Sequence, residues 1–457
     1  METLPGILSG IVGAENVSVA MTEREQRSKD QSAHDAHLPD VVVWPASTAK
    51  VSAVLQQANT LGIPVVAWGA GTSLEGNPIP LHGGIMLDLQ RMDKILEIYA
   101  QDFQVTVQPG IFYKDMNKEL ARYGLFFAPD PGANASIGGM VANNAAGIRT
   151  VKHGATKDLV LALEIVLANG NVIRTGSRSV KQSSGYDLNH LFIGSEGTLG
   201  IVTEATLKLA PLPEHFSAVT AAFPTVTQAA EAVFGIIGSA LGPAALELVD
   251  QKTVEMLNQE ESMALEATPN LFMEFNGASD SSLQAELALV EEICNENGCQ
   301  RFEAGVGREA RTRLWEGRHR MFEIAVRLHP GHTFLVTDVA VPISQYPSLV
   351  VTTDDTLSEL NLDGYMLGHA GDGNLHTLVF YDAEDEAADA KGRQLNDILV
   401  NRAISLGGTS TGEHGVGIGK QKYMQQEHGP ALDLMRLLKT ALDPNGILNP
   451  GKVLALE

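Results

Sequence analysis

Two turn-rich segments late in the chain carry three histidines and a carboxylate. GHAGDGNLH (368–376) contains His369 and His376, and GEHGVG (412–417) contains Glu413 and His414. Imidazole and carboxylate are ligand types for a divalent metal, zinc first. An imidazole left over from the ligand set suits a proton acceptor near neutral pH. His369 and His376 lie seven apart, an odd offset that would put them on opposite faces of one straight strand. The Gly371-Asp372-Gly373-Asn374 turn between them can fold the segment back so that both rings point to one place. The plainer alternative is two surface histidines flanking a hairpin, with His414 a hydrogen-bonded core residue.

A second kind of chemistry is suggested by segments that have given up their side chains. Gly69, Gly71 and Gly76 follow an apolar stretch at 63–68. A dinucleotide-binding turn would feed a long helix, but Pro78 and Pro80 stop one from starting. The loop reads instead as a nest of backbone N–H groups aimed at an anion, with Thr72 and Ser73 adding hydroxyls. PDPGANASIGGMVANNAAG (129–147) is a second such segment. Two stretches that let something large and flat approach the backbone point to a cofactor.

These segments need scaffolding, and the pattern supplies it. Strands are expected at 40–44, 63–68, 84–89 and 104–108, with helices at 46–61 and 113–123. Strands at 159–167 and 171–174 flank Asn169-Gly170, a strong hairpin signal. Pro211 to Pro213 marks a domain boundary. Beyond it come strands at 216–223, 271–275, 333–341 and 375–381, and helices at 226–239, 281–297, 308–327, 386–406 and 431–442. The reading is an α+β chain. Residues 1–213, completed by 420–457, form a first domain, and 214–419 form a substrate or cap domain that carries the metal site.

At 457 residues two or more domains are expected. A net charge of −23 disfavours nucleic acid and anionic membranes as partners. Two cysteines, Cys294 and Cys299, exclude a disulfide framework and a four-cysteine cluster, so electrons must pass through an organic cofactor or another protein. No targeting segment or transmembrane run is visible, and a cytoplasmic protein is the expectation.

Taken in order, AWGAGTSLEGN (67–77), the 129–147 segment, GSEGTLGIVTEATLKL (194–209), the two histidine segments and NPGKV (449–453) resemble the vanillyl-alcohol-oxidase (PCMH) type of flavoprotein. Within that type they resemble the FAD-linked D-2-hydroxyacid dehydrogenases: D-lactate dehydrogenase, the glycolate oxidase flavin subunit and D-2-hydroxyglutarate dehydrogenase. The resemblance implies a two-subdomain FAD-binding domain and a cap with a mainly antiparallel sheet. FAD would be bound noncovalently, since the first loop lacks the histidine that tethers it in some members. Gly69, Ala70, Gly71, Thr72 and Ser73 would cradle the pyrophosphate, with Gly76 and Asn77 closing that loop. Pro131, Ser136, Gly138, Gly139, Asn143 and Gly147 would line the ribityl chain and ring. Glu196, Gly200 and Ile201 would meet the nucleotide half, and the tail near Asn449 would return to the isoalloxazine.

The implied chemistry is oxidation of a small 2-hydroxy acid. His369, His376 and Glu413 would hold the metal, His414 would take the hydroxyl proton, and the C2 hydride would go to flavin N5. Glu413 and His414 could exchange ligand and base. Arg318, in RLWEGRH, would bind the substrate carboxylate, while its neighbours Arg311, Arg313, Arg320 and Arg327 would mostly be solvated. Trp315 and His319 could shape the pocket, though core packing suits the tryptophan better. Enzymes specific for D-2-hydroxyglutarate carry a lysine near where FLVTDVAVP places Val336, so a monocarboxylic, D-lactate-like acid is favoured. Electrons would leave to a separate acceptor (quinone, cytochrome or electron-transfer flavoprotein), which could hold the protein peripherally at the inner membrane. A homodimer is compatible with the sequence. An oxidase, a non-redox transferase like alkyl-dihydroxyacetone-phosphate synthase, and a noncatalytic flavin subunit are the competing readings.

Overall fold

The computed structural model describes residues 3–261, 263–306 and 308–455, with side chains at all of these except 306, 308–311 and 313. Arg311 and Arg313 therefore lie outside the described side chains. Two compact units result: Met1–Ala146 with Gly154–Leu212 and Glu413–Glu457, and Gly147–His153 with Pro213–Gly412. The proline-marked boundary falls where the sequence suggests. The chain leaves the second unit at Gly412, earlier than residue 419, because Val416 and Gly417 are hydrogen-bonded to Glu196 of the first unit. Glu413 accordingly starts the first unit, so the cap does not carry the whole expected metal set.

Among the described residues the first unit holds two larger sheets and a two-stranded pairing of Leu125–Phe126 with Ala210–Pro211. In one, Val41–Val43 and Val65–Trp68 run parallel on either side of Ile85–Asp88. The helix Thr48–Leu61 covers it, capped by Ser47, whose hydroxyl accepts the Lys50 N–H, and stopped by Gly62 at φ 65°. Val51, Val54, Leu55 and Ala58 recur at helical spacing and are buried with the strand valines in one core. The other sheet is antiparallel, in the order Ile95–Tyr99, Gln104–Val107, Ile201–Lys208, Val160–Val166, Val172–Gly176. The Asn169-Gly170 hairpin forms as read. The central strand Ile201–Lys208 went unread, since a buried strand shows no clean alternation.

The second unit is built on a seven-stranded sheet, antiparallel throughout. Its order is Arg301–Val306, His215–Ala222, Asn270–Gly277, Ala245–Val249, Gly364–Gly368, Asn374–Asp382, His332–Ala340. Ala245 and Val249, on one face of their strand, pack with Trp315, Met321 and Ile324 from the helix Arg308–Leu328, together with Leu378 and Phe380. Ala245–Val249 and Gly364–Gly368 are two central strands that the pattern did not reveal. One contains a glutamate and the other begins and ends in glycine, so neither looks like a strand by propensity.

Candidate functional site

The histidine segment is a hairpin. Gly364–Gly368 pairs with Asn374–Asp382 so that Leu367 lies opposite His376, and a tight turn at Ala370–Asp372 joins them. Gly373 closes the turn at φ 73°, where a Cβ would collide with the Val341 carbonyl. The reversal brings the two imidazoles together: the His369 and His376 ring centroids are 5.3 Å apart at an interplanar angle of 84°. Both residues are buried.

The His369 ring is turned by Glu247 and the His376 ring by the Thr337 carbonyl, with Asp338 close by; the sequence reading singled out neither carboxylate. Glu247, fully buried in Ala245–Val249, accepts His369 Nδ1 on Oε1 at 2.7 Å. Its Oε2 accepts Arg318 Nε at 2.8 Å and pairs with Nη2 at 2.6 Å. Burial pushes this carboxyl up, but the charges of His369 and Arg318 and their hydrogen bonds win and hold it below the ordinary glutamate range. His376 Nδ1 meets the Thr337 carbonyl at 3.2 Å, and Asp338 Oδ1 lies 3.7 Å away. Asp338 is itself fixed by Asn374 Nδ2 at 2.8 Å and the Thr411 hydroxyl at 2.7 Å. A carbonyl or carboxylate oxygen can only accept, so in each of these pairs Nδ1 is the donor. Histidines backed in this way through Nδ1 are oriented as metal ligands usually are, and the donor set suits zinc. The available signal was charge within apolar strands, ALELV and FLVTDVAV, since a carboxylate there must find partners.

Arg318 lies on this same face, with two of its nitrogens already committed to Glu247. Arg320 and Arg327, by contrast, are about half exposed and pair with Glu261 and Glu260. Trp315 is in the apolar core, as expected of a tryptophan there. Replacing Glu247 with Ala would leave the buried Arg318 charge uncompensated. The expected loss of stability is about 3–5 kcal/mol, read from urea unfolding. A loss below ~1 kcal/mol would mean the pair is not holding the sheet and helix together.

Gly412 packs on Asn374 and Asp338, leaving no room for a side chain. Glu413 and His414 follow it directly as the first residues to rejoin the first unit. There the His414 carbonyl accepts Asn143 Nδ2 at 3.2 Å and Asn77 Nδ2 at 3.4 Å.

The two small-residue segments meet within the first unit. Gly69 abuts Ser136 so closely that a Cβ would strike its hydroxyl, and Gly138 lies against Pro109 in the same manner. Ser136 also caps its short helix by accepting the Gly139 N–H, and the Pro131 carbonyl accepts the Tyr113 hydroxyl at 3.2 Å. The described residues offer no acceptor to the N–H groups of Ala70, Gly71, Thr72 and Ser73. Such a run of donors fits the diphosphate of FAD. Gly76 donates to Asp30 Oδ2 at 2.9 Å, which pins the loop's far end.

Four expected cofactor contacts, Gly200, Ile201, Glu196 and Asn449, have partners within the protein. Ile201 is core and Gly200 packs on Ile165 and Phe192. Both Glu196 oxygens are taken by protein donors: Val416 N–H at 2.6 Å on Oε1, and Asn77 Nδ2 at 2.7 Å on Oε2. Asn449 donates to the Asn77 and Glu196 carbonyls. Gly147 belongs to the second unit, apart from the other loop residues.

Sheet orders and loop placement define a flavoprotein fold of the vanillyl-alcohol-oxidase type. 4-Ethylphenol oxidase from Gulosibacter chungangensis superposes with a TM-score of 0.81, covering 98% of this chain and 96% of its own at 20% identity. Residues 39–176 match the FAD binding domain family, and residues 212–453 match the family described as FAD linked oxidases, C-terminal domain. The chain therefore belongs to the FAD-linked oxidases. A relative from Danio rerio named probable D-lactate dehydrogenase, mitochondrial, is 39% identical over 100% of this chain and 92% of its own length. The glycolate oxidase subunit GlcD of Bacillus subtilis is 36% identical, over 98% and 96%. Among the described residues no helix is long and apolar enough to cross a membrane.

Proposed function

We propose that this protein is an FAD- and divalent-metal-dependent dehydrogenase that oxidises a D-2-hydroxy acid of the D-lactate type to the 2-oxo acid. The observation that carries the reading is a histidine pair held through Nδ1, His369 on the Glu247 carboxylate and His376 on the Thr337 carbonyl, in a chain of this family. His369, His376 and Glu413 would hold the metal, which when bound polarises the substrate hydroxyl. FAD in the 67–77 and 129–147 loops would accept the hydride from C2. His414 takes the hydroxyl proton. Arg318 binds the carboxylate through the edge of its guanidinium not used by Glu247, and Glu247 sets the plane of that fork. Two electrons and two protons thus leave the substrate. With two cysteines supplying no cluster, the electrons would leave to a separate quinone, cytochrome or flavoprotein acceptor.

The wall beside the histidines supports a monocarboxylic substrate. Val336 sits one same-face step from Asp338, opposite Leu378, and packs with Leu367 and Leu378 in an apolar cluster. A second carboxylate there would be desolvated against hydrocarbon. Glycolate, lacking only the methyl group, remains compatible with this wall. The test is anaerobic mixing with a panel of D- and L-2-hydroxy acids while the visible flavin band is followed. D-lactate-like acids should bleach it faster than their L enantiomers and faster than D-2-hydroxyglutarate. A higher efficiency with D-2-hydroxyglutarate would overturn the substrate reading. No bleaching by any acid would overturn the redox reading.

A further inference from the structure

Glu196 is a buried carboxylate of the first unit, 4% exposed, in the left-handed region at φ 53°. A non-glycine residue held there, with its charge buried, needs a reason in its surroundings. Those surroundings are the backbone that follows His414. Glu196 Oε1 accepts the N–H groups of Val416 at 2.6 Å and Gly417 at 3.2 Å, while Oε2 accepts Gly417 N–H at 2.9 Å. The same Oε2 takes Asn77 Nδ2, and that amide also reaches the His414 carbonyl. Asn143 Nδ2 donates to that carbonyl from the other loop. The first loop thus ends in an amide, Asn77, and the helix Ile137–Asn143 in the second segment ends in another, and both grip one backbone oxygen.

The fit is close. At Gly415, φ 83°, a Cβ would come within 2.8 Å of Asn77 Nδ2 and of Glu196 Oε1, so the backbone presses directly on these side chains. Burial holds the Glu196 carboxyl above the ordinary glutamate range, against the donors from Val416, Asn77 and Gly417 and the charge of Lys452, which offset it only in part. Asn449 closes the assembly from the tail by donating to the Asn77 and Glu196 carbonyls at 3.0 and 2.7 Å.

We infer that Asn77, Asn143 and Glu196 are positioning residues: they form a clamp that fixes the His414 backbone to the two flavin-binding loops and so sets the aim of the base. The inference rests on the reading of His414 as that base. The clamp touches no substrate. It acts by holding the peptides that follow one catalytic imidazole, and misplacement of about 1 Å at such a group can cost ~100-fold in rate.

The test is a double-mutant cycle on the full-length, FAD-loaded protein, reading the rate of anaerobic flavin bleaching by saturating D-lactate. Bound FAD and the shape of its visible band are recorded for each variant. Glu196→Gln sets an amide N–H against Asn77 Nδ2, while Asn143→Ala removes a single bond to the His414 carbonyl. Each should slow bleaching about 10-fold or more, with little change in KM and a full complement of flavin. In a His414→Ala background the same changes should add less than ~3-fold, because their target is gone. Effects that multiply in that background would overturn the clamp while leaving the base intact. Wild-type bleaching in flavin-loaded Asn143→Ala and Glu196→Gln would also overturn it. Should Glu196→Gln fail to fold, Asn143→Ala decides alone. If His414→Ala itself bleaches at the wild-type rate, the base reading has failed, a result distinct from the others.

Discussion

Removal of divalent metal by a strong chelator should lower turnover of D-lactate by ~100-fold or more, while the protein stays yellow. The separation follows because the proposed metal ligands and the proposed flavin cradle share no residue. The expected metal ligands His369 and His376 come from a hairpin of the seven-stranded sheet. The proposed flavin cradle is made of backbone in the first unit, at 69–73 and 131–143, and none of its groups is a metal ligand. With the ion gone, the substrate hydroxyl keeps its high pKa, and the imidazole must take its proton without help. Charge stabilisation of this type contributes several kcal/mol to such reactions. Adding back zinc should restore the rate. The outcome that defeats the proposal is undiminished turnover in protein whose metal content has been shown to be gone.

Replacing His414 with alanine is expected to slow the reductive half-reaction by ~100-fold or more, with metal and flavin both retained. Elemental analysis and the visible spectrum report the retained groups, and stopped-flow bleaching reports the rate. The comparison with His369→Ala matters, because that variant should lose metal as well as rate. Glu413→Gln distinguishes the exchanged assignment. If Glu413 were the base, this variant would keep its metal and stop bleaching, and His414→Ala would release the metal. Near-wild-type flavin reduction in His414→Ala would remove it from the proton transfer altogether.

Several parts of this site could be read directly because they are local. The Gly371-Asp372-Gly373 turn has its own chemistry, and it reverses the chain wherever it is placed, so two histidines an odd number apart could be seen to meet. The loop at 67–77 announces itself by the prolines that follow it, which stop a long helix from starting, and both it and 129–147 by glycines that admit a ligand. Ser47, Gly62 and the apolar spacing of Val51, Val54, Leu55 and Ala58 bound a helix by interactions within a few residues. Arg318 was placed by resemblance and does lie beside His369, joined to it through Glu247.

The partners were beyond reach for the opposite reason. Glu247 meets His369 only because the strand Ala245–Val249 lies next to Gly364–Gly368 in the sheet, a neighbour relation across more than a hundred residues that no periodicity encodes. Asp338 is beside His376 through the pairing of His332–Ala340 with Asn374–Asp382, and Glu196 holds the 414–417 backbone from 220 residues away. Residue types and turn chemistry, which depend on a few neighbouring peptides, determined which groups could bind a metal, a flavin and a proton. Tertiary structure decided which carboxylates orient them, because burying a charge forces it onto whatever donors the packed sheet and loops bring near.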